Sequence, residues 1–192
     1  MHRGNCDLGN LFSLVRIFES NPATDIIYSI NSKSFHNHNS IGESLQLLKN
    51  VAEACKQTSR RLICISSLVV YSGNAKTSNA LDYTAYESEK PIPCGTYSES
   101  KYFAEELIQI YAKNHGLNFV ILRACGLYGK GMRTQWIIHK FIQQALNGDN
   151  ITTHEYENGP PKLEFLYIED FLKALDLLMS LGTEMTSNRI FN

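Results

Sequence analysis

Residues 97–123 read YSESKYFAEELIQIYAKNHGLNFVILR, and this stretch decides the fold class. Phe103, Leu107, Ile110 and Tyr111 recur at the spacing of a helical face, which predicts a helix over residues 97–114. Gly116 stands where a left-handed C-cap belongs. Two residues later Asn118-Phe-Val-Ile-Leu-Arg123 forms a continuous apolar run. Such a run, without polar alternation, is the pattern of a parallel strand covered on both faces.

The same alternation extends in both directions. Upstream, Arg61-Leu-Ile-Cys-Ile-Ser66 and Asp25-Ile-Ile-Tyr-Ser-Ile30 read as strands, the second after a turn at Pro22. Between them, Ile41, Leu45, Leu48, Val51 and Ala52 predict a helix over residues 40–56, with Ser40 as N-cap and Glu43 closing a capping box. Residues 73–93, rich in Ser, Asn, Thr and Pro, read as a long loop. Downstream, residues 135–147 read as a helix closed by Gly148, and residues 151–155 and 162–168 as short strands. A last helix is predicted over residues 169–181, begun by Asp170 as a capping residue. Residues 189–192 open another strand. Strand and helix in alternation give an α/β fold with a parallel sheet.

Composition narrows the function. A chain of 192 residues with 43% apolar and 19% charged residues is long enough for a sizeable core. A net charge of −1 offers no electrostatic basis for nucleic-acid or anionic-membrane binding. There is no apolar run of roughly 18 residues to span a bilayer, and residues 1–10 lack the apolar core of a signal peptide. Cys6, Cys55, Cys64, Cys94 and Cys125 are scattered and form no CxxC pair. They read as reduced thiols of a cytoplasmic protein, without a zinc site. His36 and His38 have no carboxylate or thiol near them and read as a solvated loop.

Three features carry chemistry. Tyr97 and Lys101, four apart on the predicted helix, share one face. An ammonium beside a phenol favours phenolate, which suits acid–base work near neutral pH. Chance alone supplies about 0.6 such pairs in a chain of this composition, and a second, Tyr86 with Lys90, exists. That pair abuts Pro91, which disfavours helix at Lys90. The second feature is Ser66-Ser67-Leu-Val-Val-Tyr71, directly after a strand, where open α/β sheets bind ligands. A plain turn serine is its other reading. The third is Leu122-Arg-Ala-Cys-Gly-Leu-Tyr-Gly-Lys-Gly131, a glycine-rich turn that either admits a ligand close to the backbone or only connects two elements. Arg123 suits an ion pair or a phosphate contact equally, and Trp136 with Phe141 reads as packing.

Taken in order, Ser-x-x-Val-Tyr at 67–71, Tyr-x-x-x-Lys at 97–101 and Leu-Arg-x-x-Gly-x-Tyr-Gly-x-Gly at 122–131 resemble the extended short-chain dehydrogenase/reductases. They look most like the NAD-dependent epimerase/dehydratase family. Asn158-Gly159 with Phe165-Leu-Tyr-Ile-Glu-Asp170 is similar to that family's later substrate-domain motif. Cys6-Asp7-Leu8 followed by Asp25-Ile-Ile-Tyr28 resembles its adenine-side loop and fourth strand. The resemblance implies Tyr97 as the acid–base group, Lys101 lowering its pKa and holding the nicotinamide ribose, and Ser67 orienting the reacting oxygen. It implies cofactor contacts at Asp7, Leu8, Ser66, Tyr97 and Lys101, and substrate contacts at Ser67, Gly126, Arg133 and Lys162. The implied reaction is transient hydride transfer between NAD and a hydroxyl carbon of a nucleotide-diphosphate sugar, in a protein that can form a homodimer through the helices of Ser40 and Tyr97.

The sequence also departs from the family pattern. No G-x-G-x-x-G occurs in it, so the expectation is a partial, Rossmann-like doubly wound parallel sheet lacking its first strands and Gly-rich loop, with part of a small substrate-binding lobe. Residues 1–131 would form the partial NAD(P)-binding domain, and residues 132–192 part of the substrate lobe interleaved with the last strands. The chain reads as truncated at both ends, with weak or no NAD affinity, and with NADP left open. Its strand at 25–30 becomes a bare apolar edge. Gly126 stands where many members carry a substrate-contacting Asn, and Leu163 where many carry an Arg that Lys162 could replace. Ser67-Leu68-Val69 lacks the Asp-Glu pair of sugar 4,6-dehydratases, which favours an epimerase or reductase. The alternative from another class is a non-catalytic remnant or binding protein that keeps the fold without cofactor affinity.

Overall fold

The computed structural model describes residues 6–30, 38–77, 83–153 and 163–192. Helix α1 (Leu11–Glu19) leads into strand β1 (Asp25–Tyr28), helix α2 (His38–Gln57) and strand β2 (Arg61–Ser67). A 3-10 turn (Leu68–Tyr71) continues into the short helix α3 (Ser72–Thr77). Helix α4 (Thr96–His115) precedes β3 (Phe119–Ala124) and β4 (Gly126–Tyr128). Then come α5 (Ile137–Asn147), β5 (Phe165–Tyr167), α6 (Ile168–Ser180), α7 (Thr183–Thr186) and β6 (Arg189–Phe191).

The sheet is parallel throughout, in the order β1-β2-β3-β6. Its register places Tyr28 beside Cys64, Ile63 beside Val120 and Ser67 beside Ala124. Alternate strand residues serve two cores, as the pleat requires. Tyr28, Leu62, Cys64, Phe119 and Ile121 pack with α1, α2 and α4 through Leu14, Phe18, Leu48, Val51, Ile108 and Tyr111. On the opposite face Ile63 and Val120 pack with Leu175 and Leu178 of α6. Helices on both faces explain why the strands carry no polar alternation. Strand β1 is an edge, and Ile27, on the α6 side of the sheet, is 44% exposed. Arg61 ties the start of β2 to β1 and to the α6–α7 region. Its guanidinium meets Asp25 Oδ1 at 2.5 Å and donates to the Thr186 hydroxyl at 2.5 Å.

Several boundaries differ from those the sequence suggests. Helix α2 starts at His38, so Ser40 lies within its first turn and is buried rather than capping. Helix α6 starts at Ile168, with Tyr167 at the N-cap, and Asp170 instead pairs with Lys173 at 3.0 Å. Residues 151–153 are not strand, and the rest of that predicted element lies outside the described residues. The segment read as one long loop contains α3, zipped to residues 90–94. Asn74 Nδ2 donates to the Lys90 carbonyl at 3.1 Å, and Ile92 N donates to Asn74 Oδ1 at 2.7 Å. Helix α1 went unread, although Asn10 caps it by accepting from Ser13 N at 3.1 Å. Trp136 is 47% exposed and α5 has no buried residue, so neither belongs to a core.

The core has a signature in its pH response. Burial pushes the Cys55 and Cys64 thiols up from 9.0 to about 12 by penalising the thiolate. A folded-state pKa above the unfolded one contributes stability that is complete below the unfolded value and lost as pH rises through the folded one. The melting temperature is therefore expected to be insensitive to these thiols below pH 9 and to fall between about pH 9 and 12. Thermal unfolding followed by circular dichroism across that range checks this, and an unchanged midpoint at pH 11 would contradict it.

Candidate active site

The carboxyl end of β2 is gripped by one face of α4. Three residues one turn apart on that face, Tyr97, Lys101 and Glu105, engage three consecutive residues at the strand's end. The Tyr97 side chain is hydrogen-bonded to that of Ser67. Lys101 Nζ donates to the Ile65 carbonyl at 3.0 Å. The Ser66 hydroxyl donates to the Glu105 carboxylate.

Local chemistry sets each part. Ser67 ends the strand in an extended conformation and caps the 3-10 turn, its Oγ accepting from Val69 N at 3.4 Å. Gly95 stands at the N-cap of α4 with φ of +103°, a left-handed value that glycine tolerates. The approach to it is fixed by Ser72, whose Oγ accepts from Cys94 N at 2.8 Å. Gly73 lies so close to this segment that a Cβ on it would sit 2.5 Å from the Ile92 carbonyl oxygen. Tyr97 thus enters α4 from a chain segment held on both sides.

The face of α4 turned to the sheet follows the predicted apolar stripe only in part. Tyr111 and Ile108 are buried and Leu107 packs against the core, whereas Phe103 is 45% and Ile110 51% exposed. Nearer the start of the helix the buried positions are Ser98, Lys101 and Glu105, and the last two meet a carbonyl and a hydroxyl at the end of β2. Glu105 is wholly buried and paired with Arg123 of β3, whose Nη2 approaches Oε2 at 2.7 Å and whose Nε lies 3.2 and 3.1 Å from the two oxygens. Arg123 also donates to the Tyr71 hydroxyl, which donates in turn to the Tyr86 carbonyl at 2.9 Å. Arg123 is therefore an ion-pair residue, and its guanidinium is committed inside the fold. Tyr86 and Lys90 lie in the loop, off any helix, and Tyr86 is 58% exposed.

The electrostatics depart from the expectation that Lys101 draws the Tyr97 pKa down. Burial pushes the Tyr97 phenol above its ordinary value, and the Ser67 hydrogen bond works against that rise. Burial lowers the Lys101 ammonium below its ordinary value, and the neighbouring Cys64 and Glu105 side chains work against that fall. The physical reason lies in the geometry. Lys101 Nζ is turned to the Ile65 carbonyl and stands 6.0 Å from the centre of the Tyr97 ring.

The remaining predicted positions lie around this centre. Asp7 is exposed and closes a turn, its Oδ1 accepting from Gly9 N at 2.9 Å. Leu8 packs at the margin of the larger core. Asn50 of α2, which sequence reading passed over, anchors this loop by donating to the Leu8 and Gly9 carbonyls at 2.9 and 3.1 Å. Ile30, Ser44, Ser66, Ser100 and Lys101 line a cleft between the ends of β1 and β2 and helices α2 and α4. Gly126 opens β4, paired with Phe165, and a Cβ there would approach the Phe165 ring to 2.8 Å. A side chain at position 126 would therefore press on the Phe165 ring of β5. Arg133 is exposed beside Lys130, Tyr128 and Trp136 around a shallow depression. Leu163 is 56% exposed. Lys162 and His36 lie outside the described residues.

Comparison with known proteins agrees with this fold. A model of the NAD dependent epimerase/dehydratase family matches residues 2–192. A dTDP-D-glucose 4,6-dehydratase of Dictyostelium discoideum is 30% identical over 182 residues, covering 88% of this chain and 41% of that protein. A trifunctional UDP-glucose 4,6-dehydratase/UDP-4-keto-6-deoxy-D-glucose 3,5-epimerase/UDP-4-keto-L-rhamnose-reductase of Arabidopsis thaliana is 30% identical over 166 residues, covering 82% of this chain and 24% of that protein. Among solved structures, UDP-N-acetylglucosamine 4-epimerase from Bacillus cereus superposes with a TM-score of 0.76 at 23% identity, over 96% of this chain and 60% of that one. A UDP-glucose 4-epimerase of Thermus thermophilus in complex with NAD gives 0.76 at 20% identity, over 97% and 61%. The chain spans less than half the length of these two curated relatives.

Proposed function

The chain belongs to the NAD-dependent epimerase/dehydratase family, and on that footing we propose that it serves proton transfer in NAD-dependent chemistry at a hydroxyl carbon of a nucleotide-diphosphate sugar. The observation that carries this reading is the hydrogen bond between Tyr97 and Ser67 at the carboxyl end of a parallel strand. As phenolate, Tyr97 takes the proton of a sugar hydroxyl, and as phenol it returns one. Ser67 holds the reacting oxygen, since one hydroxyl both donates and accepts.

The residues fit a dinucleotide on one side. The cleft at the strand ends carries Ser66 and Lys101, and the turn of Asp7 and Leu8 offers adenine-side contacts. Bound there, NAD would supply the hydride acceptor. Lys101 donates hydrogen bonds to its ribose, a role its three N–H groups allow beside the bond to Ile65. Gly126, Arg133 and Lys162 belong to the substrate side of this reading. The turn Leu68–Tyr71 contains no carboxylate to act as a second acid–base group beside Tyr97, which suits an epimerase or reductase. A fold-only remnant has no need of a Tyr97 hydrogen-bonded to Ser67 beside Lys101, which speaks for the enzymatic reading.

Two further points complete the reading. The outward stripe of Phe103 and Ile110 on α4 supplies an apolar face on which a second copy can pack to form a homodimer. All five cysteines are free thiols, as in the reducing cytoplasm, and no helix among the described residues is long and apolar enough to cross a membrane.

The test is direct. The purified chain is incubated with NAD and either UDP-glucose or dTDP-glucose, and the sugar is followed by proton NMR. A C4 epimer or a keto sugar is the expected product. No conversion of either sugar, with no spectral change of the nicotinamide, would overturn the reading.

A further inference from the structure

Three consecutive strand-end residues bonded to three successive turns of one helix form a clamp, and the carboxylate at its centre, that of Glu105, has no part in the proposed proton transfer or cofactor binding. Ser66 shares the face of Leu62 and Cys64, toward α4, and is 4% exposed. Its hydroxyl reaches the one wholly buried carboxylate among the described residues, that of Glu105. Arg123 holds that carboxylate by three nitrogen–oxygen contacts between 2.7 and 3.2 Å, and Tyr71 holds Arg123 in turn. A bidentate guanidinium–carboxylate pair has little angular freedom, and burial removes competing water.

We propose that Glu105 is a positioning residue, which sets the presentation of Ser67 to Tyr97 by fixing Ser66 at the end of β2. The inference deepens the reading of Tyr97 as the acid–base group. It follows from the covalent link between the two serines. Ser67 is one residue beyond Ser66 and holds Tyr97, while Ile65, one residue before, holds Lys101. Releasing Ser66 removes the central side-chain bond of the clamp, so that the strand end is set by the β3 ladder and both outer contacts shift with it. The charged and titratable groups facing the clamp are Tyr97, Lys101, Tyr102 and Glu105 of α4, Tyr28 of β1, Cys64 of β2, Tyr71 of the 3-10 turn and Arg123 of β3. None of them is altered when the Ser66 hydroxyl alone is removed.

The experiment reads the phenol itself. Tyrosine labelled at Cζ is followed by carbon-13 NMR in the whole chain, with the Tyr97 signal assigned by Tyr97→Phe. Ser66→Ala leaves the Glu105–Arg123 pair in place and is expected to remain folded. Its Tyr97 signal is expected to shift toward that of an unbonded phenol, and its titration midpoint to rise by about one pH unit, because Ser67 no longer supports the phenolate. Ser66→Thr keeps the hydroxyl and is expected to restore the wild-type signal. Glu105→Leu is expected to behave as Ser66→Ala, and if it fails to fold the two serine variants decide the matter. A folded Ser66→Ala whose Tyr97 signal and midpoint match wild type would overturn the proposal. The readout needs no turnover, so it can fail while the enzymatic reading stands, and the reverse.

Discussion

Replacing Tyr97 by Phe is expected to reduce turnover of a nucleotide sugar by about 10²- to 10⁴-fold, the usual contribution of a positioned acid–base group. The ring remains, so packing at the start of α4 is kept and only one hydroxyl is lost. Ser67 keeps its bond from Val69 N at 3.4 Å, and the stability cost stays near that of one hydrogen bond, about 1 kcal/mol. A fall in kcat with a nearly constant KM is therefore the expected signature, because the phenol acts in the transition state more than in binding. The pH dependence supplies a second readout. Abstraction of a hydroxyl proton needs phenolate, and burial places the Tyr97 pKa above its ordinary value. Below that pKa the phenolate fraction falls about tenfold per pH unit, so the oxidative rate rises with pH through the neutral range. Tyr97→Phe should abolish that limb. A variant retaining more than about a tenth of wild-type kcat would remove Tyr97 from the chemistry.

Replacing Arg123 alone by Met is expected to destabilise the fold by roughly 3–5 kcal/mol. The mechanism is the charge left behind. Glu105 is 0% exposed, so removing its partner strands a carboxylate in the core. Replacing both residues, Glu105→Met with Arg123→Met, removes the stranded charge and is expected to recover most of the loss, since buried pairs often give way to apolar residues at little cost. Urea unfolding of the two variants measures the difference. A single variant within about 1 kcal/mol of wild type would mean that water reaches Glu105 and that the pair is not buried in solution.

Much of the architecture was legible because the signals behind it are local. Apolar continuity over residues 61–66 and 118–123 marked the two central strands, and β2 and β3 lie side by side there. The periodicity of residues 40–56 marked α2. Gly116 and Gly148 marked helix ends, and both adopt left-handed conformations, with φ of +69° and +73°. Helix α1 was missed because nine residues give a weak period, although Asn10 with Leu11, Leu14, Val15 and Phe18 carried a cap and an apolar stripe.

The site divides along a similar line. Tyr97 and Lys101 share a helical face by spacing alone, and Ser67 follows a strand by its place in the chain. Glu105 continues the same series, four residues after Lys101, and its spacing was a signal that reading by apolar pattern discards. The face of α4 that meets the sheet was legible only in part, because Leu107 and Tyr111 pack on the core while Phe103 and Ile110 carry the same periodicity yet point outward. The packing of Gly126 against Phe165 was equally illegible, because the two residues lie far apart along the chain.

By itself the sequence determined strands β1, β2, β3, β5 and β6, helices α2, α4, α5 and α6, their order, and three side chains at the crossing of β2 and α4. Those properties depend on chain neighbours within a turn or a pleat, where covalent geometry dictates spacing. The tertiary structure alone decided that Arg123 neutralises Glu105, that Ser66 is spent on that carboxylate, and that Lys101 leans on Ile65 while burial governs Tyr97. These are encounters between groups far apart along the chain. Their energies turn on distance and exclusion of water, quantities that exist only once the chain has folded.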